Sequence, residues 1–128
     1  MRFLPLIAAM TATAALLFSN AAVAHPQLVN ALPADNTEVA ASPARIELQF
    51  DQTLLTRTSA AKLVMTGMPG MAGHAPMAMA VAVSAGEDGK TMLIVPRQAL
   101  PAGSYRVDWR AVSQDEHAVT GAVHFTVK

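Results

Sequence analysis

The chain has 128 residues, with 9 Lys and Arg against 9 Asp and Glu, and no cysteine. That length suits a single domain, and the even charge balance gives no basic surface for nucleic acid or anionic lipid. The lack of Cys excludes disulfides, thiolate metal sites and thiol nucleophiles.

Residues 1–24 read as a cleaved secretory signal peptide. Met1-Arg2 carries the positive charge, an apolar run rich in Leu and Ala extends from Phe3 to Phe18, and Ala22-Val23-Ala24 offers a small-x-small cleavage site. The apolar run is short for a membrane span and Asn20 interrupts its end. Removal leaves residues 25–128, which is 128 − 24 = 104 residues, with 9 − 1 = 8 basic groups once Arg2 is gone. No second apolar span follows, so the mature protein is expected to be soluble and not inserted in a membrane.

The mature chain then reads as strands and turns. Gln27 to Ala31 is a candidate first strand. Arg45-Ile46-Glu47-Leu48-Gln49-Phe50 alternates polar and apolar, as do Tyr105 to Arg110 and Val123 to Val127. Period-two alternation turns one face to a core and the other to water. Ala60 to Met65, Ala78 to Val83 and Thr91 to Val95 are further short strands. Pro33-Ala34-Asp35-Asn36, Ser42-Pro43, Gly86-Glu87-Asp88-Gly89 and Pro101-Ala102-Gly103 supply the turns. About seven such strands predict an all-β domain, a Greek-key barrel or sandwich.

The segment from Met65 to Met79 stands apart. It holds five of the methionines, including Met65, Met68 and Met71 at intervals of three, with His74 continuing the interval and Met77 beyond. Such spacing commonly marks the buried face of a helix, but Gly67, Pro69, Gly70, Gly73 and Pro76 break helical hydrogen bonding. The segment is expected to be a surface loop. Thioether sulfur is a soft neutral donor that favours Cu(I), and a neutral His74 imidazole suits the same ion. The competing reading is an adaptable apolar contact loop.

Cleavage after Ala24 would make His25 the first residue, offering an α-amine and a ring nitrogen to one metal. Pro26 has no backbone N–H, so the metal cannot take an amide nitrogen there, and side chains elsewhere must complete the site. Asp115 and His117 are two apart and, in extended chain, face the same side. Nitrogen donors with a carboxylate suit Cu(II), and Zn(II) accepts similar ligands. His124, flanked by Val123 and Phe125, should point outward. Ser113, Asp115 and His117 also form a conceivable hydrolytic set, but three residues on one side of a short segment do not easily make a nucleophile–base–orienter chain.

With these residues in view, the mature chain resembles the CopC family of periplasmic copper-resistance proteins. The resemblance is carried by His25-Pro26, by Ala60 to Met71, and by Tyr105 to Ser113 with Asp115, His117 and Thr120-Gly121. It implies a cupredoxin-like or immunoglobulin-like Greek-key barrel with a Cu(II) site and a Cu(I) site at opposite ends. Carried over, the Cu(II) ligands are His25, Asp115 and His117; the Cu(I) ligands are Met65, Met68, Met71, Met77 and His74. Some members of the family also use a Glu where Gln52 stands here, beside Asp51. The expected role is a periplasmic copper carrier rather than an enzyme, with a membrane copper transporter or a periplasmic copper oxidase as receiver. An oxidative enzyme with an N-terminal histidine copper centre is the alternative.

Overall fold

A computed structural model describes residues 25–71 and 75–128, so the signal peptide expected at residues 1–24 lies outside the described residues. Nine strands follow in order: β1 (Leu28–Leu32), β2 (Thr37–Val39), β3 (Ile46–Phe50), β4 (Ala60–Gly67), β5 (Met77–Met79), β6 (Val81–Ala85), β7 (Thr91–Pro96), β8 (Gly103–Val112) and β9 (Ala118–Val127). No helix occurs among the described residues.

The strands form two sheets, ordered β1-β3-β7-β6 and β2-β9-β8-β4-β5. Consecutive strands β1 and β2 are edges of different sheets, and so are β5 and β6. The chain therefore steps between the sheets at both sides of the sandwich, which gives it a barrel-like outline. All neighbours run antiparallel except β2, which pairs parallel to β9 from Thr37↔Phe125 to Val39↔Val127.

The expected alternation is what builds the core. Ile46, Leu48 and Phe50 of β3, Tyr105, Val107, Trp109 and Ala111 of β8, and Val123, Phe125 and Val127 of β9 all point inward and are buried. Phe50 meets Trp109 edge to face with ring centroids 5.0 Å apart, and Tyr105 stacks on Phe125 at 5.4 Å. Such aromatic pairs add roughly 0.5–1.5 kcal/mol beyond simple burial. The Tyr105 hydroxyl donates to the Pro101 carbonyl, and burial pushes its pKa up.

Two strands depart from expectation. β2 has only three residues, too few to show a period, and its partner lies at the far end of the sequence. The run from Ala78 to Val83 is broken at Ala80 into β5 and β6, which belong to different sheets.

Gly121 lies directly opposite Trp109 in the β8–β9 pair. A Cβ there would fall 2.3 Å from Trp109 Cζ2 and 2.7 Å from Cε2, far inside van der Waals contact, so the indole occupies the space a side chain would need. Overpacking of this kind typically costs about 1–3 kcal/mol. Gly121→Ala should lower the denaturant midpoint accordingly, read from Trp109 fluorescence; an unchanged midpoint would mean that the ring can swing aside.

The β6–β7 turn is closed by Asp88. Its carboxylate accepts the Lys90 N–H at 2.9 Å, the Thr91 N–H at 3.0 Å and the Thr91 hydroxyl at 2.9 Å. The Lys90 N–H and then the Thr91 hydroxyl hold its pKa below the usual carboxylate range. A depressed pKa contributes stability above the unfolded-state value, and that stability is lost as pH falls through the folded-state value. Asp88→Ala should therefore melt lower than the native protein at neutral pH, with the gap closing in acid. A gap independent of pH would contradict this account.

Candidate metal centre

Two groups of candidate ligands lie at opposite ends of the domain. β4 and β8 run antiparallel from Ala60↔Arg110 to Gly67↔Ser104. The turn after β8 is therefore at the Ala60 end, and the loop after β4 is at the Gly67 end. β8 has 10 residues, which at about 3.3 Å each separates the two ends by about 30 Å.

At the first end, the N-terminal arm is fastened before β1 begins. Pro26 is fully buried. Gln27 is gripped by Asp51, whose Oδ1 accepts the Gln27 N–H at 2.8 Å and whose own N–H donates to the Gln27 carbonyl at 3.0 Å. These anchors carry His25 onto the β8–β9 turn, where its ring lies 4.9 Å from that of His117, centroid to centroid, at an interplanar angle of 53°. Asp51 thus acts on the backbone of the arm, a task that its position beside Gln52 does not announce in the sequence.

Ser113 to His117 is a tight hairpin turn and not the extended chain expected. Glu116 N–H donates to the Ser113 carbonyl at 2.9 Å, Ser113 N–H donates to the His117 carbonyl at 3.1 Å, and Glu116 takes a left-handed φ of 67°. This is the signature of a three-residue hairpin loop with a left-handed bulge residue. Asp115 and His117 still meet, through the turn rather than through strand alternation. Asp115 Oδ2 lies 3.0 Å from His117 Nδ1 and Oδ1 lies 3.3 Å from the His117 backbone N. Ser113, buried at 2% exposure, donates its hydroxyl to Asp115 Oδ1. That bond, ahead of those from His117, lowers the Asp115 pKa, so the carboxylate is ionised and can only accept.

Among the described residues, no three His, Cys, Asp or Glu side chains are grouped closely enough to hold an ion by themselves. His117 nonetheless meets two other candidates, the His25 ring at 4.9 Å between centroids and the Asp115 carboxylate at 3.0 Å from Nδ1, and the expected third nitrogen donor is a terminal amine rather than a side chain. A nitrogen-rich set of this kind fits a borderline divalent ion. His124 lies elsewhere, half exposed, with its ring 3.5 Å from Asp35 and its backbone N–H donating to the same carboxylate at 2.8 Å. It stays out of this cluster, as expected.

At the other end, Met68-Pro69-Gly70-Met71 makes a turn. Met71 N–H donates to the Met68 carbonyl at 3.0 Å, and Gly70 has φ 74°. Pro followed by Gly with positive φ is the pattern of a type II turn. It sets Met68 and Met71 side by side as bridge partners, with both side chains exposed. Met77 begins β5, is exposed, and lies opposite Met65 across the β4–β5 pair. Met65 itself is 3% exposed and belongs to the hydrophobic core. Its inward position on β4 makes it a packing residue, which corrects its place among the exposed sulfurs. His74 lies outside the described residues. Exposed thioethers gathered by a turn fit a soft monovalent ion.

Residues 28–128 match the CopC domain family. Copper resistance protein C of Pseudomonas syringae pv. tomato is 57% identical over 115 residues, covering 90% of each chain. Its namesake from Escherichia coli is 53% identical over 107 residues, covering 84% of each. Among solved structures, the methionine-rich copper resistance protein PcoC from Escherichia coli is similar with a TM-score of 0.75 at 51% identity, over 82% of this chain and 100% of that one. CopC from Methylosinus trichosporium OB3b gives a TM-score of 0.67 at 29% identity, over 81% and 94%. A family match across the whole β-domain, joined to close relatives aligned over nearly their full length, makes this chain a member of the CopC family.

Proposed function

We propose that this protein is an exported copper carrier of the periplasm that takes Cu(II) at one end and Cu(I) at the other. The observation that carries the reading is the meeting of His25 and His117, distant in sequence, at a ring separation of 4.9 Å. A buried proline and a two-way Asp51–Gln27 clamp are more structure than a stray terminal residue needs. His25 contributes its ring and, after cleavage, its α-amine; His117 contributes a ring nitrogen, and the Asp115 carboxylate completes the Cu(II) site. Met68, Met71 and Met77 with His74 form the Cu(I) site. The names of the CopC relatives, which are copper resistance proteins, support copper over zinc.

His25, His117, Met68, Met71 and Met77 are exposed, so either ion is open to a receiver such as a membrane copper transporter or a copper oxidase. The separation of about 30 Å along β8 is too long for one ion to pass directly between the sites. Each site therefore loads and unloads on its own.

Placing one Gly before His25 moves the amine off the metal. Cu(II) affinity should fall by more than the roughly 10–100-fold that outer-shell changes cost, with Cu(I) affinity unchanged. The native protein should also lose Cu(II) as pH falls below about 7.7–8.0, the ordinary range of an α-amine, because protons compete with the metal. Chelator competition measures both effects, and equal Cu(II) affinity in the extended protein would remove His25 from the site.

Changing Met68, Met71 and Met77 together to Leu keeps apolar bulk and removes sulfur. Hydrophobic swaps of similar volume usually cost less than about 1.5 kcal/mol, and these side chains are exposed, so the melt should be nearly native. Cu(I) affinity should collapse while Cu(II) affinity holds. A triple variant that retains Cu(I) would reassign the loop to contact with a partner.

A further inference from the structure

An edge strand exposes a row of unpaired backbone N–H and C=O groups that can pair with another strand. The edges here are β1 and β6 in one sheet and β2 and β5 in the other. Among the described residues, all but β6 are blunted. β1 carries a bulge between Leu28 and Asn30 and runs into Pro33. β2 and β5 have only three residues each, with Glu38 in the first and Pro76 just before the second. β6 pairs with β7 without a register shift from Val81↔Pro96 to Ala85↔Met92, and no charged residue occurs from Ala75 to Gly86.

The bonds at the two ends of β6 fix which of its backbone groups face outward. Arg97 N–H donates to the Ala80 carbonyl at 3.0 Å, and Gly86 N–H donates to the Thr91 carbonyl at 2.8 Å. Bonded residues alternate along an antiparallel pair. Ala80, Ala82, Ser84 and Gly86 therefore bond to β7, and Val81, Val83 and Ala85 turn their N–H and C=O groups out of the sheet. Val83 is the middle of that row, and it is 40% exposed.

We propose that β6 is the interface for a second copy of this chain, paired antiparallel about a two-fold axis at Val83. Val83 then faces the partner's Val83 and Val81 faces the partner's Ala85, so every outward N–H and C=O of the row is matched. A two-fold contact uses the same surface on both copies and closes on itself. Charge selects the direction. In the turn after β6, Asp88 is offset by Lys90, which leaves the exposed Glu87. At the other end of β6 stands the exposed Arg97, bonded to Ala80. Among the described residues neither Glu87 nor Arg97 forms an ion pair. Antiparallel pairing brings Glu87 of each copy to the Arg97 end of the other, whereas parallel pairing sets like charges together. It also turns the second copy end for end. The turn after β6 is tied to the Ser113 end of the domain by the Leu54 N–H, which donates to the Gly89 carbonyl at 2.9 Å, and by the Leu54–Ser113 bridge. The methionine end of one copy therefore lies on the His25–His117 side of the other.

Sedimentation equilibrium of the metal-free mature protein, kept in a copper chelator, should show a mass that rises with concentration from the monomer to the dimer and stops there. Amide exchange should slow at Val81, Val83 and Ala85 in concentrated protein relative to dilute. A protein that stays monomeric at every concentration overturns the proposal and leaves the edge to a strand of a different protein. Association that runs past the dimer overturns the two-fold contact. Val83→Pro removes an outward N–H, which an edge strand tolerates, so the variant should melt as the native protein does by Trp109 fluorescence and remain monomeric. A folded Val83→Pro protein that dimerises normally overturns the proposal. Glu87→Arg and Arg97→Glu act at the surface and decide the matter even if Val83→Pro fails to fold. Each alone should weaken the dimer several-fold, and the two together should restore it. Native dimerisation in both single variants overturns the antiparallel arrangement.

Discussion

The β8–β9 pair runs in unbroken register from Gly103↔Val127 to Val112↔Ala118, and most of the molecule is arranged around it. Its inward residues, Tyr105, Val107, Trp109, Val123 and Phe125, are the centre of the core. β8 also pairs with β4 and β9 with β2, so the hairpin holds the middle of the five-stranded sheet. Both candidate metal groups hang from its ends. The turn that closes the hairpin contains Asp115 and His117, while the loop after β4 starts beside Gly103, at the hairpin's open end. A slip of one residue would turn the core stripes outward and displace both groups.

The parts of this fold that could be read from the sequence are those with a repeating pattern. Arg45 to Phe50, Tyr105 to Arg110 and Val123 to Val127 alternate because each forms one wall of a two-walled core. β2 could not be read, because three residues carry no period and its parallel partner is β9. The break at Ala80 is equally silent: Ala78 to Val83 is uniformly apolar, and the change of sheet is dictated by which edges lie free. Asp115 and His117 were identified as a pair on the wrong geometry. Glu116 adopts a left-handed φ although it is neither Gly nor Asn, so the residue type gave no warning of the turn.

The two ends of the domain hold their candidate ligands by different means. At the His25–His117 end, Asp115 and His117 are bound to each other and to buried Ser113, and buried Pro26 fixes the arm that carries His25, so the candidate donors are ordered in advance. Among the described residues of the methionine end, order comes from the Met68–Met71 turn and the Met65–Met77 pairing. The soft end is therefore the more adaptable of the two, as suits thioethers on rotatable side chains. Met65 illustrates why residue type alone misleads: the same side chain fills core volume on β4 and offers sulfur a turn later.

The parallel pairing of Thr37–Val39 with Phe125–Val127 has a consequence for how the molecule comes into being. Among the described residues, β2 has no neighbour in its sheet other than β9, so an early segment of the chain must wait for one of the latest. Closing so long a loop comes before any contact rewards it, which makes such pairings slow. A chain built this way cannot close the β2 edge of its five-stranded sheet until its last strand is in place.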